Sequence, residues 1–119
     1  MKHEVYIDED KIMFLRIKGE LSLDDARECL DALTSKMDGP GPYPMLIDLT
    51  GRIPGLDKEV RKYLAEQNKD PRINKQAYVI TNPMVRMVAR IVVAAQDSAD
   101  NARFFKTPEE ALGWLNERT

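Results

Sequence analysis

The chain has one cysteine, one histidine and one tryptophan in 119 residues. The lone cysteine, Cys29, forms no internal disulfide, so the fold must be held by packing, and a cytoplasmic location is expected. The lone histidine, His3, excludes a histidine-rich metal site, and its place near the start argues against a catalytic role. A charge excess of either sign is missing too. Lys plus Arg is 18 and Asp plus Glu is 20, a net charge of -2, which lacks the basic footprint of a nucleic-acid binder. No apolar run approaches the length of a membrane span. Met1 to Glu4 leads straight into strand-like sequence, so no signal peptide is expected. A glycine-rich phosphate loop is absent, because Gly51 and Gly55 are not followed by the Lys-Ser/Thr such a loop needs. Cofactors are therefore expected to be none.

What is present is an ordinary globular composition, 43% hydrophobic and 32% charged, long enough for one domain over residues 1–119 with a core of its own. The central stretch is Tyr43 to Leu64. Met45, Leu46, Ile47 and Leu49 form an apolar run that does not alternate, which reads as a strand buried on both faces within a parallel sheet. Thr50 to Gly55 is a loop of turn formers. Asp57 can cap a helix in which Val60, Tyr63 and Leu64 share one face.

Before this stretch, Glu4–Asp8 and Lys11–Lys18 read as two antiparallel strands joined by a tight turn at Glu9-Asp10. In the second, Met13, Leu15 and Ile17 point one way, Ile12 and Phe14 the other. Ser22 with Asp25 resembles a capping box before a helix carrying Ala26, Cys29, Leu30, Leu33 and Met37. Gly39-Pro40-Gly41-Pro42 ends that helix. After the central stretch come a polar loop from Asn68 to Asn74 and a strand from Ala77 to Ile80. Asn82 caps a third helix and Pro83 opens it. A last strand runs from Ala102 to Phe105, and Thr107-Pro108-Glu109-Glu110 starts the final helix. The order β-β-α-β-α-β-α-β-α predicts an α/β fold with a mainly parallel five-stranded sheet, right-handed crossovers and one antiparallel edge strand.

This order resembles the STAS domain, the SpoIIAA-like fold of bacterial anti-sigma factor antagonists. Met45-Leu46-Ile47-Asp48-Leu49-Thr50-Gly51 is similar to that family's strand of hydrophobic residues followed by Asp-Leu-Ser/Thr. Phe104-Phe105-Lys106-Thr107, followed by Glu109-Glu110-Ala111-Leu112-Gly113-Trp114-Leu115, resembles the close of small stand-alone bacterial members grouped as STAS/SEC14-like. The resemblance implies a regulatory domain with a protein partner, or, through the SEC14-like relatives, a module that holds a small apolar ligand or lipid. The chain departs from the antagonists at one point. Where they carry a phosphorylated serine it reads Leu56-Asp57-Lys58-Glu59, so the phosphorylation switch does not carry over.

No catalytic residue is assigned. Cys29 lies on the apolar stripe of its helix and reads as a buried thiol, since reactive thiols need an exposed, electropositive setting. Asp8/Asp10 fall in a turn, and Asp24/Asp25 fall in a helix's first turn, where negative charge suits the dipole. Carboxyl ends of neighbouring parallel strands lie together, so Asp48, Thr50, Arg52, Asp57 and Asn82 are expected to cluster at one edge of the sheet. They read either as a ligand- or partner-binding site or as hydrogen bonding that ties the loops. The third helix, expected over Pro83–Ala95, is apolar almost all round. Only Arg86 and Arg90 mark a polar side, about 40° apart on a helical wheel. Met84, Met87, Val88, Ile91 and Val92 are therefore expected to meet a second chain, as a homodimer.

Overall fold

The computed structural model describes residues 2–67, 71–94 and 101–117. The chain begins with two short strands, β1 (Glu4–Ile7) and β2 (Met13–Arg16), paired antiparallel from Glu4 opposite Arg16 to Ile7 opposite Met13. Their connection is wider than a two-residue hairpin. Asp8 holds it, its Oδ1 accepting from the Asp10 and Ile12 N–H groups at 2.9 Å, with Lys11 at positive φ. The expected tight turn at Glu9-Asp10 is present, closed by the Lys11 N–H bond to the Asp8 carbonyl at 3.2 Å and reinforced by the aspartate side chain.

Helix α1 (Leu23–Lys36) starts at a reciprocal capping box. Ser22 Oγ accepts from the Asp25 N–H, and Asp25 Oδ2 accepts from the Ser22 N–H. These bonds satisfy two amides the first helical turn leaves without partners. Strand β3 (Met45–Asp48) is buried at every position, as is β4 (Gln76–Val79). Between them lies α2 (Lys58–Gln67). Then come α3 (Pro83–Ala94), β5 (Ala102–Phe105) and α4 (Pro108–Leu115). The expected end of the third helix, Ala95, and residues 68–70 of the expected polar loop lie outside the described residues.

The sheet runs β1-β2-β3-β4-β5, each strand beside its predecessor and all but β1 parallel. Side-chain alternation splits the core in two. Met13, Met45, Ile47 and Tyr78 face α1 and α3, with Leu33, Ala89 and Val93 packed on them. Ile12, Leu46, Ala77 and Val79 face the other way, under Ala111 and Leu115 of α4. Three helices thus cover one face and α4 alone covers the other.

Helix α2 rests on α1 and α3. Val60, Tyr63 and Leu64 join Ile17, Leu21, Ala26 and Cys29 in a third apolar cluster at the carboxyl end of the sheet. The loop before α2 is held there by close approach. A Cβ on Gly51 would lie 2.9 Å from the Ile17 carbonyl oxygen, inside van der Waals contact, so only glycine fits.

Candidate functional site

The space between the sheet and the three helices on that face is not filled. A cavity of about 270 Å³ lies between the sheet and α1, α2 and α3. Its floor is Leu15, Met45, Ile47 and Tyr78 from the strands. Ala26, Cys29, Leu30 and Leu33 of α1 form one wall, and Val85, Val88, Ala89 and Val92 of α3 the other. Leu64 of α2 and the loop Ile53-Pro54-Gly55-Leu56 lie over it. The exposed members of this lining, Pro54, Gly55, Asn82 and Met84, mark a mouth between the β3–α2 loop and the first turn of α3.

The lining is apolar with little exception. Tyr78 points its hydroxyl at Gln76, donating to Oε1 at 2.8 Å, and burial pushes its phenol above the ordinary range. Burial, with the charges of Asp25 and Glu28 adding to it, pushes the Cys29 thiol up to about 11. At neutral pH it is a protonated, weakly polar wall. Asn82, at the rim, caps α3. Its Oδ1 accepts from the Met84 N–H at 2.8 Å and the Val85 N–H at 3.4 Å.

The five residues expected at one edge divide between two faces. Asp48, Thr50, Arg52, Asp57 and Asn82 all lie at the carboxyl end of the sheet, where Leu49 N–H bonds the Val79 carbonyl across to β4. Asp48, however, follows the parity of Leu46 and lies on the α4 face, away from the cavity. It is buried. Its Oδ2 accepts from Arg16 Nε at 3.2 Å, and its Oδ1 from the Thr50 N–H at 2.9 Å and hydroxyl at 2.6 Å. These bonds take up both carboxylate oxygens in fastening β3 to β2 and closing the following turn. Asp57 precedes α2, its carbonyl accepting from the Arg61 N–H. Thr50, Arg52 and Asp57 are exposed, and of the five only Asn82 reaches the cavity.

The contact surface expected on α3 is also revised. Met84, Met87 and Ile91 are exposed, at 70%, 55% and 54%. Val92 is 7% exposed and Val93 6%, both buried within their own chain. Val88 is half-buried and lines the cavity. The apolar excess of this helix therefore divides between an exposed ridge and the wall of an internal space. Val92 belongs to the wall and is withdrawn from the contact surface.

Asp25 and the histidine are occupied structurally. His3 is buried, and its Nδ1 accepts from the Lys18 N–H at 2.9 Å. Its Nε2 lies 3.5 Å from Asp25 Oδ2 without the alignment of a hydrogen bond. Bonds from Ser22, backbone first, hold the Asp25 carboxyl below its usual range, with His3 and Lys2 adding to the effect. Among the described residues no group of three His, Cys, Asp or Glu side chains could hold a metal ion. No helix among them is long and apolar enough to cross a membrane.

A mixed five-stranded sheet with three helices on one face and one on the other defines the fold as SpoIIAA-like. The crystal structure of an uncharacterized DUF3478-family protein with a SpoIIAA-like fold, from Shewanella loihica PV-4, is similar over 95% of this chain and 91% of that one. Its TM-score is 0.66 at 18% identity. The chain itself belongs to the DUF7793 family, a domain of unknown function, which it matches over residues 5–119. No curated protein matches it.

Proposed function

We propose that this protein is a non-catalytic module that encloses one small apolar molecule between its sheet and α2. The observation that carries this reading is the cavity of about 270 Å³ with its apolar lining and its mouth at the carboxyl end of the sheet. Ligand sites of open α/β sheets lie at that end. The volume is just under the range of about 300–1,000 Å³ common for small-molecule sites, so it suits a compact molecule or a single short chain rather than a two-tailed lipid. An apolar space of this size left empty lowers stability, because its lining forgoes dispersion contacts on one side.

The sequence alone ranks a regulatory domain with a protein partner first and an apolar-ligand module second. The cavity reverses that order. The antagonists' serine is missing from the start of α2, and the helix that looked like a partner surface turns half of its apolar circumference inward. A catalytic reading has little support: Cys29 is held protonated, and the Nδ1 of His3 is taken by a backbone amide. Titration with the neutral fluorescent probe N-phenyl-1-naphthylamine tests the proposal. Saturable uptake of one probe per chain, displaced by a medium-chain fatty acid, is expected. Probe fluorescence that stays at its buffer value throughout would refute it.

A further inference from the structure

We propose that the outer face of α3 docks on an anionic lipid surface and brings the cavity mouth against it. The ridge Met84, Met87 and Ile91 follows the spacing i, i+3, i+7, and these are three of the four large hydrophobic side chains that stand exposed among the described residues. On a helical wheel Arg90 and Arg86 flank the ridge on the side toward β5, and Val88 flanks it on the side toward α2. Residues 83–94 include no acidic residue, in a chain whose net charge is negative. Neither arginine pairs with a carboxylate among the described residues: half-buried Arg86 has its Nε shielded and without a hydrogen-bond partner, and the exposed Arg90 guanidinium lies 5.8 Å from the Phe104 ring centroid. An apolar strip edged by arginines without carboxylate partners is the arrangement that lies in the headgroup boundary of an anionic bilayer, the strip in the acyl region and the cations toward the phosphates.

Position adds to composition. Met84 belongs both to the ridge and to the cavity rim. A surface that covers the ridge therefore also meets the mouth between Pro54 and Asn82, and an apolar molecule can pass between bilayer and cavity with little exposure to water. A second copy of this chain is the less favoured occupant. An antiparallel two-fold pairing of α3 would set each Arg86–Arg90 flank against the same flank of the other copy, cation facing cation.

The docking face draws its purpose from the apolar-ligand reading but is tested apart from it, by flotation of the full chain with vesicles of three parts phosphatidylcholine to one part phosphatidylserine. Wild type should float with these vesicles. From its two arginines, binding should be roughly thirty-fold weaker on pure phosphatidylcholine, and it should weaken with added salt. Met87→Glu and Ile91→Glu, both at exposed positions, should abolish flotation while leaving the thermal melt and the uptake of N-phenyl-1-naphthylamine unchanged. Flotation without probe uptake would keep the docking face and remove the carrier reading. Wild type that stays in solution would overturn the docking proposal, as would light scattering that shows a dimer dispersed by Met87→Glu.

Discussion

Replacing Ala89 by leucine tests whether the space beneath α2 exists, because the sign of the effect depends on it. Ala89 is buried and faces the cavity from the middle of α3. Alanine and leucine are both good helix formers, so propensity changes by only about 0.2 kcal/mol. The substitution adds three carbons. Entering an open apolar space, they gain about 0.8 kcal/mol each, or roughly 2.4 kcal/mol, from burial. Fixing the leucine rotamer costs about 0.5–1 kcal/mol. The net expectation is stabilisation of about 1.2–1.7 kcal/mol, which for a chain of this length raises the Tm by roughly 5–7 °C. In a filled core the same three carbons would force overpacking and cost about 1–3 kcal/mol, lowering the Tm instead. Calorimetric melts of wild type and variant read the sign directly. Uptake of N-phenyl-1-naphthylamine should fall in the same variant, because the leucine occupies space the probe needs. A destabilised variant that still takes up the probe as wild type does would refute the reasoning that places Ala89 on the wall of the binding space.

Two further outcomes follow from groups at the carboxyl end of the sheet. Asp48→Ala leaves the Thr50 amide without an acceptor and Arg16 without its buried partner, so urea unfolding should show a loss of about 2 kcal/mol. Asp48→Asn keeps the acceptor for Thr50 and should lose about half as much; a neutral Asp48→Ala would return the carboxylate to the list of free site residues. Cys29 gives a pH dependence. Its pKa is raised in the folded state from 9.0 to about 11, so the folded chain keeps a proton that the unfolded chain releases. The stabilisation is fully present below pH 9 and is lost as pH rises toward 11, on the order of 2 kcal/mol in all. The Tyr78 phenol, also pushed up from 10.0, joins the decline above pH 10. Cys29→Ala should flatten the stability profile between pH 9 and 10, and an unchanged slope there would show that the thiol is not buried as described.

Much of the fold was legible because local rules and tertiary demands agree. The unbroken apolar runs around Ile47 and Tyr78 could only be strands covered on both faces. Ser22, Asn82 and Thr107 announced helix starts, and each caps one. The parity of Met13 against Phe14 assigned faces correctly. For Asp48 two readings stood open, a binding site or hydrogen bonds that tie the loops, and its bonds to Arg16 and Thr50 are of the second kind; parity also places it, since Ile47 and Leu49 point to the cavity face and the residue between them points away. The cavity itself was all but invisible in the sequence. Periodicity tells which side of α2 is apolar, but not how far that side stands from the strands. An absent set of atoms has no residue to mark it. The one signal was the excess apolar surface of the third helix, which demanded a second neighbour without saying whether it lay inside or outside the chain.

The sequential strand order governs the protein's passage from the ribosome. Each strand that emerges finds its pairing edge already made by the one before, so the sheet can grow during synthesis without waiting for distant segments. The helices that cover one face arrive interleaved with the strands. Among the described residues the other face has a single cover, α4, which follows all five strands in the sequence. Until α4 is made, Leu46, Ala77 and Val79 present a bare apolar sheet to other nascent chains. A stalled or prematurely terminated product that ends just before Pro108 would carry all five strands with one sticky side, a natural substrate for chaperones and proteases.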